Sequence, residues 1–381
     1  MTDQNEALRR RGLAFLRSKK ALIHNAKVTM AYAGAKRLIA VIKANGYGHG
    51  DVWVARTLYD NLHVHDFAVA TLAEGERVRQ AMPEEEVQIV LLGVQPAEFA
   101  PEMVAQRLAP VAGSLDWLLR AVAALTQSDT NGVLSVHLAV DTGMGRLGAK
   151  SQEELAAMVD FVRTCPKLSL AGVMTHFATA DEDNPGYYCQ QLADFMKMVT
   201  GLGIEKDKWH LANSGSALFH RDDVPTDNIR VGSVLYGYNP AMQDRALPVE
   251  LKPVASLVGR LWGVHLLKKG ESLSYGATYT AKKDQWVGTI PIGYADGLKR
   301  VLSGMSVLVN GKREKILGRI TMDQIVISLS ERVPINTQVT FIGRDGEEEI
   351  TIEEMADFGH TIPHELLTGF SDRIPRVDVA E

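Results

Sequence analysis

A lysine that closes an apolar run and opens a glycine-rich loop is the first place in this sequence where chemistry can be done. Lys43 ends LIAVIK, and Ala44-Asn45-Gly46-Tyr47-Gly48-His49-Gly50 follows at once. An amine at the carboxyl end of a strand stands on the face where barrel enzymes build their sites, and Schiff-base chemistry is open to it there. A lone lysine in that position more often snorkels to water; the glycine loop carrying Tyr47 and His49 favours the functional reading. Other polar residues recur in short, distinctive settings: Arg146 in DTGMGRLG, His176 in THFATAD, Asn213 and Ser214 in ANSGS, and Arg230, Gly232 and Ser233 in RVGS. Tyr275 lies in SYGATY, Tyr294 in IGYADG, and Met322 with Asp323 in TMDQ.

Taken singly, each of these has an ordinary explanation. Arg230 could sit in a structural ion pair, and Asn, Ser and Gly are common in turns. Tyr275 could pack on a sheet face, Met322 could fill a core gap, and Tyr294 could decorate an exposed loop. The elements that must position them therefore matter. From about 36 to 238, short β-branched runs alternate with longer helical patterns, the rhythm of βα units around a parallel sheet. Strands are expected at 37–43, 67–72, 87–93, 108–113, 134–140, 170–177, 208–214 and 228–237. Eight of them suggest a closed (β/α)8 barrel of the TIM type, and a lysine stands where an open dinucleotide-binding sheet would carry its glycine-rich phosphate turn. Phosphate binding in such a barrel is then expected about the ends of the seventh and eighth strands, the region in which Ser214, Gly232 and Ser233 fall.

After 238 the texture changes to glycine-punctuated strand runs, QWVGTIPIG, MSVLVNG, EKILGRI, QIVISL and QVTFIG, interrupted by one helix at IEEMADFG. These predict a mostly β second domain. The proline-containing stretch 239–253 reads as linker, which divides the chain into a barrel over 1–245 and a β domain over 246–381. Residues 1–20 read as an added basic helix in front of the barrel with a solvated face.

Composition restricts the function classes. A hydrophobic fraction of 46% with 23% charged residues is that of an ordinary globular protein. A net charge of −5 disfavours a general nucleic-acid surface or a polybasic membrane patch. The two cysteines, Cys165 and Cys189, lack metal-ligand spacing and form no disulfide framework, so a reducing cytoplasm is the simplest location. Neither a secretory h-region nor an apolar run of membrane-spanning length is present in the sequence.

VIKANGYGHG closely resembles the cofactor-lysine motif of the alanine racemases, pyridoxal-phosphate (PLP) enzymes of fold type III. The resemblance runs through nearly the whole chain in the family's order: DTGMGRLG, THFATAD, HLANSGSAL, RVGSVLYG, SYGATYTA, IPIGYADG and LGRITMDQ. It implies a homodimeric cytoplasmic isomerase that interconverts L- and D-alanine, with D-alanine supplied to bacterial peptidoglycan for the cell wall. Lys43 would carry PLP as a Schiff base and serve as one base, taking the proton of D-alanine. Tyr275, contributed by the second subunit of a head-to-tail dimer, would be the opposite base and take the proton of L-alanine. Inversion needs two such groups, because one base reaches one face of the α-carbon.

The same resemblance assigns supporting roles. His176 would stand beside that tyrosine and Arg230, and Arg230 would donate to the pyridine nitrogen, keeping it unprotonated because arginine cannot accept a hydrogen bond. Tyr47, Asn213, Ser214, Gly232 and Ser233 match cofactor-binding positions. Arg146 matches the arginine near the cofactor hydroxyl and substrate carboxylate. Met322, through its backbone N–H, and Asp323 match the partner's carboxylate-binding segment, and Tyr294 an inner residue of the entrance path. No metal is implied.

Two departures stand out. Ala139 occupies the place of a lysine that in many members becomes a carbamate buttressing the arginine. In SDRIPR, Asp372 replaces the tyrosine of SYRVPR, read here as a phosphate contact that narrows the entrance; a carboxylate there is expected to turn towards an arginine instead. A serine-preferring racemase stays open as an alternative, since one hydroxyl shifts affinity only modestly in a small pocket. A PLP decarboxylase is disfavoured by Arg230 in place of an acidic partner for the pyridine nitrogen. A non-catalytic PLP carrier is disfavoured by SYGATY and the second domain, and a PLP-free aldolase by the phosphate residues.

Overall fold

The structure is a computed structural model that describes residues 3–128, 130–242 and 244–379. Eight parallel strands appear in chain order as neighbours: β1 (Arg37–Val41), β2 (Asp66–Val69), β3 (Gln88–Leu91), β4 (Leu108–Ala112), β5 (Leu134–Ala139), β6 (Leu168–Met174), β7 (Trp209–His210) and β8 (Asn228–Val231). β8 returns to β1, with Ile39 opposite Arg230, and a parallel bridge between Ala212 and Ile229 closes the ring on the β7 side. The barrel expected from the βα rhythm is therefore present, with every strand on an expected run.

Helices form between these strands because their apolar positions fall on one stripe. In Gln152–Thr164 the buried residues are Leu155, Met158, Val159 and Val162, spaced at i, i+3, i+4 and i+7. Ser151 caps that helix, accepting from the Glu154 N–H at 3.2 Å. Burying each such side chain is worth roughly 2 kcal/mol, so the stripe more than offsets a weak intrinsic propensity. Inside the ring, Ile39, Val41, Ala68, Val90, Val111, Ala139 and Met174 form an apolar layer. His137, two residues before Ala139 on β5, shares its inward face by the two-residue period of a strand.

The second domain is a mostly antiparallel sheet whose strand order runs Gly263–Leu267, Gln285–Ile290, Ile325–Leu329, Lys312–Leu317, Ser306–Val309, Gln338–Asp345 and Ala255–Arg260. The helix expected near IEEMADFG is Ile352–Phe358, and the linker 239–253 contains neither helix nor strand among the described residues. The start of the chain differs from its expected form. A helix covers only Asp3–Arg11, and Leu13–Arg17 is a strand that pairs antiparallel with Ala255–Arg260 and parallel with Arg376–Asp378. Leu13, Ala14, Phe15 and Leu16 are all buried, which a solvated helical face would not permit. Among the described residues no helix is long and apolar enough to cross a membrane.

The two domains meet at the loop that follows Lys43. Arg376, near the end of the chain, donates from Nε to the Gly48 carbonyl at 3.2 Å and from its other nitrogens to the carbonyls of Phe370, Ser371 and Ile374. Gly48 has φ +83°, and a Cβ there would lie 2.2 Å from the Leu367 carbonyl oxygen. Only glycine permits both the left-handed backbone and this approach. Gly48→Ala is accordingly expected to destabilise the protein by on the order of 2 kcal/mol or more, read as a fall of several degrees in Tm; an unchanged Tm would show that the domain contact is slack.

Candidate active site

β1 ends at Val41, and the chain then makes a left-handed turn: Ala44, Asn45, Gly46 and Tyr47 have φ of 53°, 54°, 60° and 52°. Three of these are not glycine, a conformation costing about 1 kcal/mol or more per residue, so something must hold it. Glu74 does so. Its Oε1 accepts the Ala44 N–H at 2.8 Å and its Oε2 the Ala70 N–H at 2.8 Å, while the same side chain completes the capping box of Leu72–Ala81. The turn directs Lys43 into a cavity of about 450 Å³ at the carboxyl ends of the strands.

The opposite wall comes from the loops after β7 and β8. Asn213 caps the short helix Ser214–Phe219 and ties it back to the Phe177 carbonyl at 3.1 Å. The Ser214 hydroxyl accepts the Gly232 N–H at 3.2 Å, and Ser233 follows at the start of the next turn. Tyr47 stacks on Tyr236 at 4.7 Å, and its hydroxyl comes so near Gly232 that a Cβ there would stand 2.5 Å from it. Burial pushes the Tyr47 phenol up to about 12, so it is a neutral donor. Hydroxyls and N–H groups from three loops thus converge on one corner of the cavity.

Arg230 dominates the electrostatics. It is almost fully buried, and among the described residues no carboxylate pairs with it. Nη1 donates to the His210 carbonyl at 2.5 Å and lies 2.9 Å from His210 Nδ1; Nη2 donates to the Thr175 carbonyl at 2.8 Å and lies 3.2 Å from His176 Nδ1. Burial and the proximity of Arg146 draw the guanidinium down to about 10, still cationic at neutral pH. His176 is drawn to about 3, by burial first and then by Arg230, Arg146 and Lys43. Lys43 is lowered as well, chiefly by burial and then by Arg146 and Arg230, with Glu74 opposing. A lowered ammonium pKa enlarges the fraction of free amine, the form that attacks a carbonyl.

Arg146 reaches the same cavity from the loop after β5. Asp141 shapes that loop, its Oδ1 accepting the N–H groups of Gly143 at 3.2 Å and Gly145 at 2.8 Å. Arg146 itself makes no ion pair or hydrogen bond among the described residues. Ala139 lies buried beside it, with a small pocket of about 30 Å³ between them lined largely by apolar side chains.

Tyr275, Tyr294, Met322 and Asp323 are not in this cavity. They gather on the second domain: the Ser274 hydroxyl donates to the Arg319 carbonyl at 2.6 Å, and the N–H groups of Tyr294 and Ala295 donate to the carbonyls of Thr321 and Met322 at 3.0 and 3.1 Å. Tyr275 is 71% exposed, beside a Ser274 held at φ +65°. Arg373 donates to the Asp323 carboxylate at 2.7 Å. The residues singled out from sequence therefore fall into two groups, one enclosed and one presented to solvent.

Asp372 turns away from the cavity, as expected of it; its side chain is 94% exposed, 3.6 Å from Arg376, the arginine-facing orientation of a carboxylate kept off a phosphate. The C-terminal segment that does line the cavity is Ile362–Pro363–His364, with the His364 ring near Tyr47 and Tyr238. His364 escaped sequence reasoning because no chemistry-bearing pattern surrounds it in TIPHELL. Asp181 and His210 belong to motifs quoted above, THFATAD and HLANSGSAL, with nothing in their spacing to single them out.

A lysine at the mouth of a barrel, facing an anion-sized corner and a buried arginine, is an arrangement open to imine chemistry on a small amino compound. Residues 18–240 match the family model described as "Alanine racemase, N-terminal domain", and 254–378 match "Alanine racemase, C-terminal domain". The alanine racemase of Levilactobacillus brevis is 42% identical over 353 residues, covering 92% of this chain and 93% of that protein. The crystal structure of alanine racemase from E. faecalis superposes with a TM-score of 0.90 at 38% identity, covering 97% of this chain and 98% of that one. A histidine racemase from Leuconostoc mesenteroides subsp. sake superposes with 0.91 at 32%, covering 97% and 99%. The chain belongs to the alanine racemase family, a family of isomerases.

The buried histidines set a pH dependence. Burial holds His49, His137 and His176 neutral, drawing them to about 4, 3 and 3. Unfolding frees each to protonate near its ordinary value of about 6.5, so below that pH the unfolded chain binds more protons and stability is lost, while above it their contribution is complete. Tm is expected to fall steadily as pH drops from about 6.5 towards 4, less steeply in His137→Asn; equal slopes in the two proteins would contradict neutral burial of His137.

Proposed function

We propose that this protein racemises alanine with PLP, using Lys43 of one subunit and Tyr275 of the other as opposed bases, and so supplies D-alanine for peptidoglycan. The observation that carries the reading is the convergence of Lys43, Arg230, His176 and the Tyr47–Ser214–Gly232 corner on one cavity of about 450 Å³. That volume accommodates a cofactor with a small amino acid. The fit extends to donor chemistry. Tyr47, Ser214 and the amides of Gly232 and Ser233 suit a phosphate, and any side chain at 232 would fill the corner. Four of Arg230's five N–H donors are engaged by protein, leaving Nε–H for the ring nitrogen. When bound, PLP supplies the electron sink that makes an amino acid's α-proton removable.

The chain's own residues do the rest. Lys43, with its lowered proton affinity, holds or returns a proton at Nζ on one face of the α-carbon. A phenol acts as a base only beside positive charge or a hydrogen-bond donor to its anion. His176 suits that task, because Arg230 donates to its Nδ1 and its own proton must then be on Nε2. Arg230, which only donates, keeps a ring nitrogen unprotonated and limits charge delocalisation; this favours reprotonation at the α-carbon over side reactions. Arg146 and the Met322 N–H, which carries no hydrogen bond among the described residues, suit a substrate carboxylate.

Tyr275, Met322, Asp323 and Tyr294 are exposed together on the second domain, and a head-to-tail homodimer would bring them over the partner's cavity. Hence each site needs two chains. Cytoplasmic location is part of this reading, as the compartment in which a peptidoglycan precursor is made.

Chiral chromatography after incubating the purified protein with PLP and L-alanine should show D-alanine approaching an equal mixture, formed faster than D-serine from L-serine. Bound cofactor with no inversion of either would turn the reading towards a decarboxylase or a carrier. Lys43→Ala and Tyr275→Phe should each lose nearly all L-alanine racemisation; mixed and allowed to exchange subunits, they should recover about a quarter of wild-type activity, because half the dimers then hold one intact site. No recovery despite exchange would place both bases in one chain.

A further inference from the structure

Two histidines inside the barrel have no part in the chemistry above. His137 on β5 and His210 on β7 are buried, 2.9 Å apart from Nδ1 of the first to Nε2 of the second, with their rings edge to face. The line continues from His210 Nδ1 to Arg230 Nη1 at 2.9 Å. A barrel interior at this level is ordinarily filled by branched apolar side chains, so two imidazoles in register with a buried guanidinium call for a physical reason.

Proton bookkeeping along the line has one solution. A guanidinium can only donate, so His210 Nδ1 must be a bare acceptor and its proton must lie on Nε2. His210 Nε2–H then donates to His137 Nδ1, so the His137 proton also lies on its Nε2. A second proton on either ring would set donor against donor at 2.9 Å and add charge beside Arg230. Burial draws both imidazoles far towards the neutral form, His137 to about 3 and His210 well below its ordinary value, and Arg37 and Arg230 act in the same direction. The charged and titratable groups around the pair are thus Arg37 on β1, itself paired with Asp66 on β2, and Arg230 on β8.

We propose that His137 and His210 are positioning residues that fix the donor pattern of Arg230: His137 orients His210, His210 anchors Nη1, and the guanidinium is left with Nε–H as its uncommitted donor towards the cavity. The inference rests on the reading of Arg230 as the group facing the cofactor ring. It goes further, because it assigns the rigidity and orientation of that contact to a residue two hydrogen bonds beyond Arg230. Without an acceptor at His137, the His210 Nε2–H is buried unpaired, and relief by ring flip or tautomer change puts N–H against N–H at Arg230.

Asparagine separates this role from mere filling, since its amide oxygen presents an acceptor where His137 Nδ1 stood; phenylalanine fills the space with none. The test uses the PLP-loaded dimer and the same protein stripped of cofactor. In wild type, nitrogen NMR of histidine-labelled protein should show His137 and His210 as neutral Nε2–H tautomers from about pH 6 to 9, with or without PLP. With ring-labelled PLP, the pyridine nitrogen should give one unprotonated, hydrogen-bonded resonance in wild type and His137→Asn, and a shifted or heterogeneous one in His137→Phe. kcat for L-alanine should fall about tenfold in His137→Phe, with KM within about twofold, and recover most of that loss in His137→Asn.

A Nδ1–H tautomer or an imidazolium at either position in wild type would overturn the proposal without any variant, even if His137→Phe fails to fold. So would an unchanged ring-nitrogen resonance in a folded His137→Phe. Failure of the wild type to bind PLP or to racemise alanine would instead overturn the functional reading, and the tautomers measured in the cofactor-free protein would remain a separate result.

Discussion

A guanidinium enclosed in a barrel without a carboxylate against it is the constraint on which the rest of the site depends. Arg230 cannot discard its charge at neutral pH, and it is held by carbonyls and imidazole nitrogens instead of an anion. Burying a cation in this way is costly unless its donors are satisfied. Four are satisfied by His210, Thr175 and His176, and the two imidazoles are thereby fixed as acceptors at Nδ1. The uncompensated charge then acts outward: after burial itself, and together with Arg146, it lowers the proton affinity of Lys43 and of the adjoining His176. One carboxylate placed against Arg230 would neutralise that part of the field, leaving burial and Arg146 to act on Lys43.

The second constraint is steric and concerns how the domains meet. The lysine turn is left-handed through residues that disfavour it, and it is held on one side by Glu74 and on the other by Arg376 and the Leu367 carbonyl at Gly48. The β domain therefore stabilises the Lys43 turn of its own chain while presenting Tyr275 and Met322 away from it. The opening strand Leu13–Arg17, threaded between Ala255–Arg260 and Arg376–Asp378, joins the first and last segments of the chain in this support.

Much of this was legible in the sequence because the barrel repeats a strong local signal. β-branched runs at eight places, separated by helical periods, mark strands whichever way the loops turn, and motif order identified the residues at their carboxyl ends. Leu13–Arg17 was not legible, because a five-residue apolar run behind a basic helix has no local partner; its strand character comes from segments more than 200 residues away. His364 was hidden for the same reason, reaching the cavity only through the docking of the second domain. His137 and His210 illustrate a different limit: sequence places each on a strand, but only the register of β5 against β7 across the lumen sets them 2.9 Å apart. Asp372 was legible from charge alone, since a carboxylate next to basic residues turns to one of them, here Arg376.

The two arginines of the cavity are prepared in opposite ways. Arg230 has its orientation decided by the protein before any ligand arrives, so a ligand meeting it recovers nearly the whole interaction without an ordering cost. Arg146 has no partner among the described residues, and with Ala139 beneath it the loop offers no carbamate to hold it. Immobilising such a side chain costs roughly 1 kcal/mol on binding, a charge against whatever carboxylate it meets. On the proposed reading, the contact facing the cofactor ring is thus oriented by the fold, whereas the carboxylate-facing contact is completed by the ligand. Such a division suits an inversion, in which the α-carbon would be approached from both faces while the ring is held.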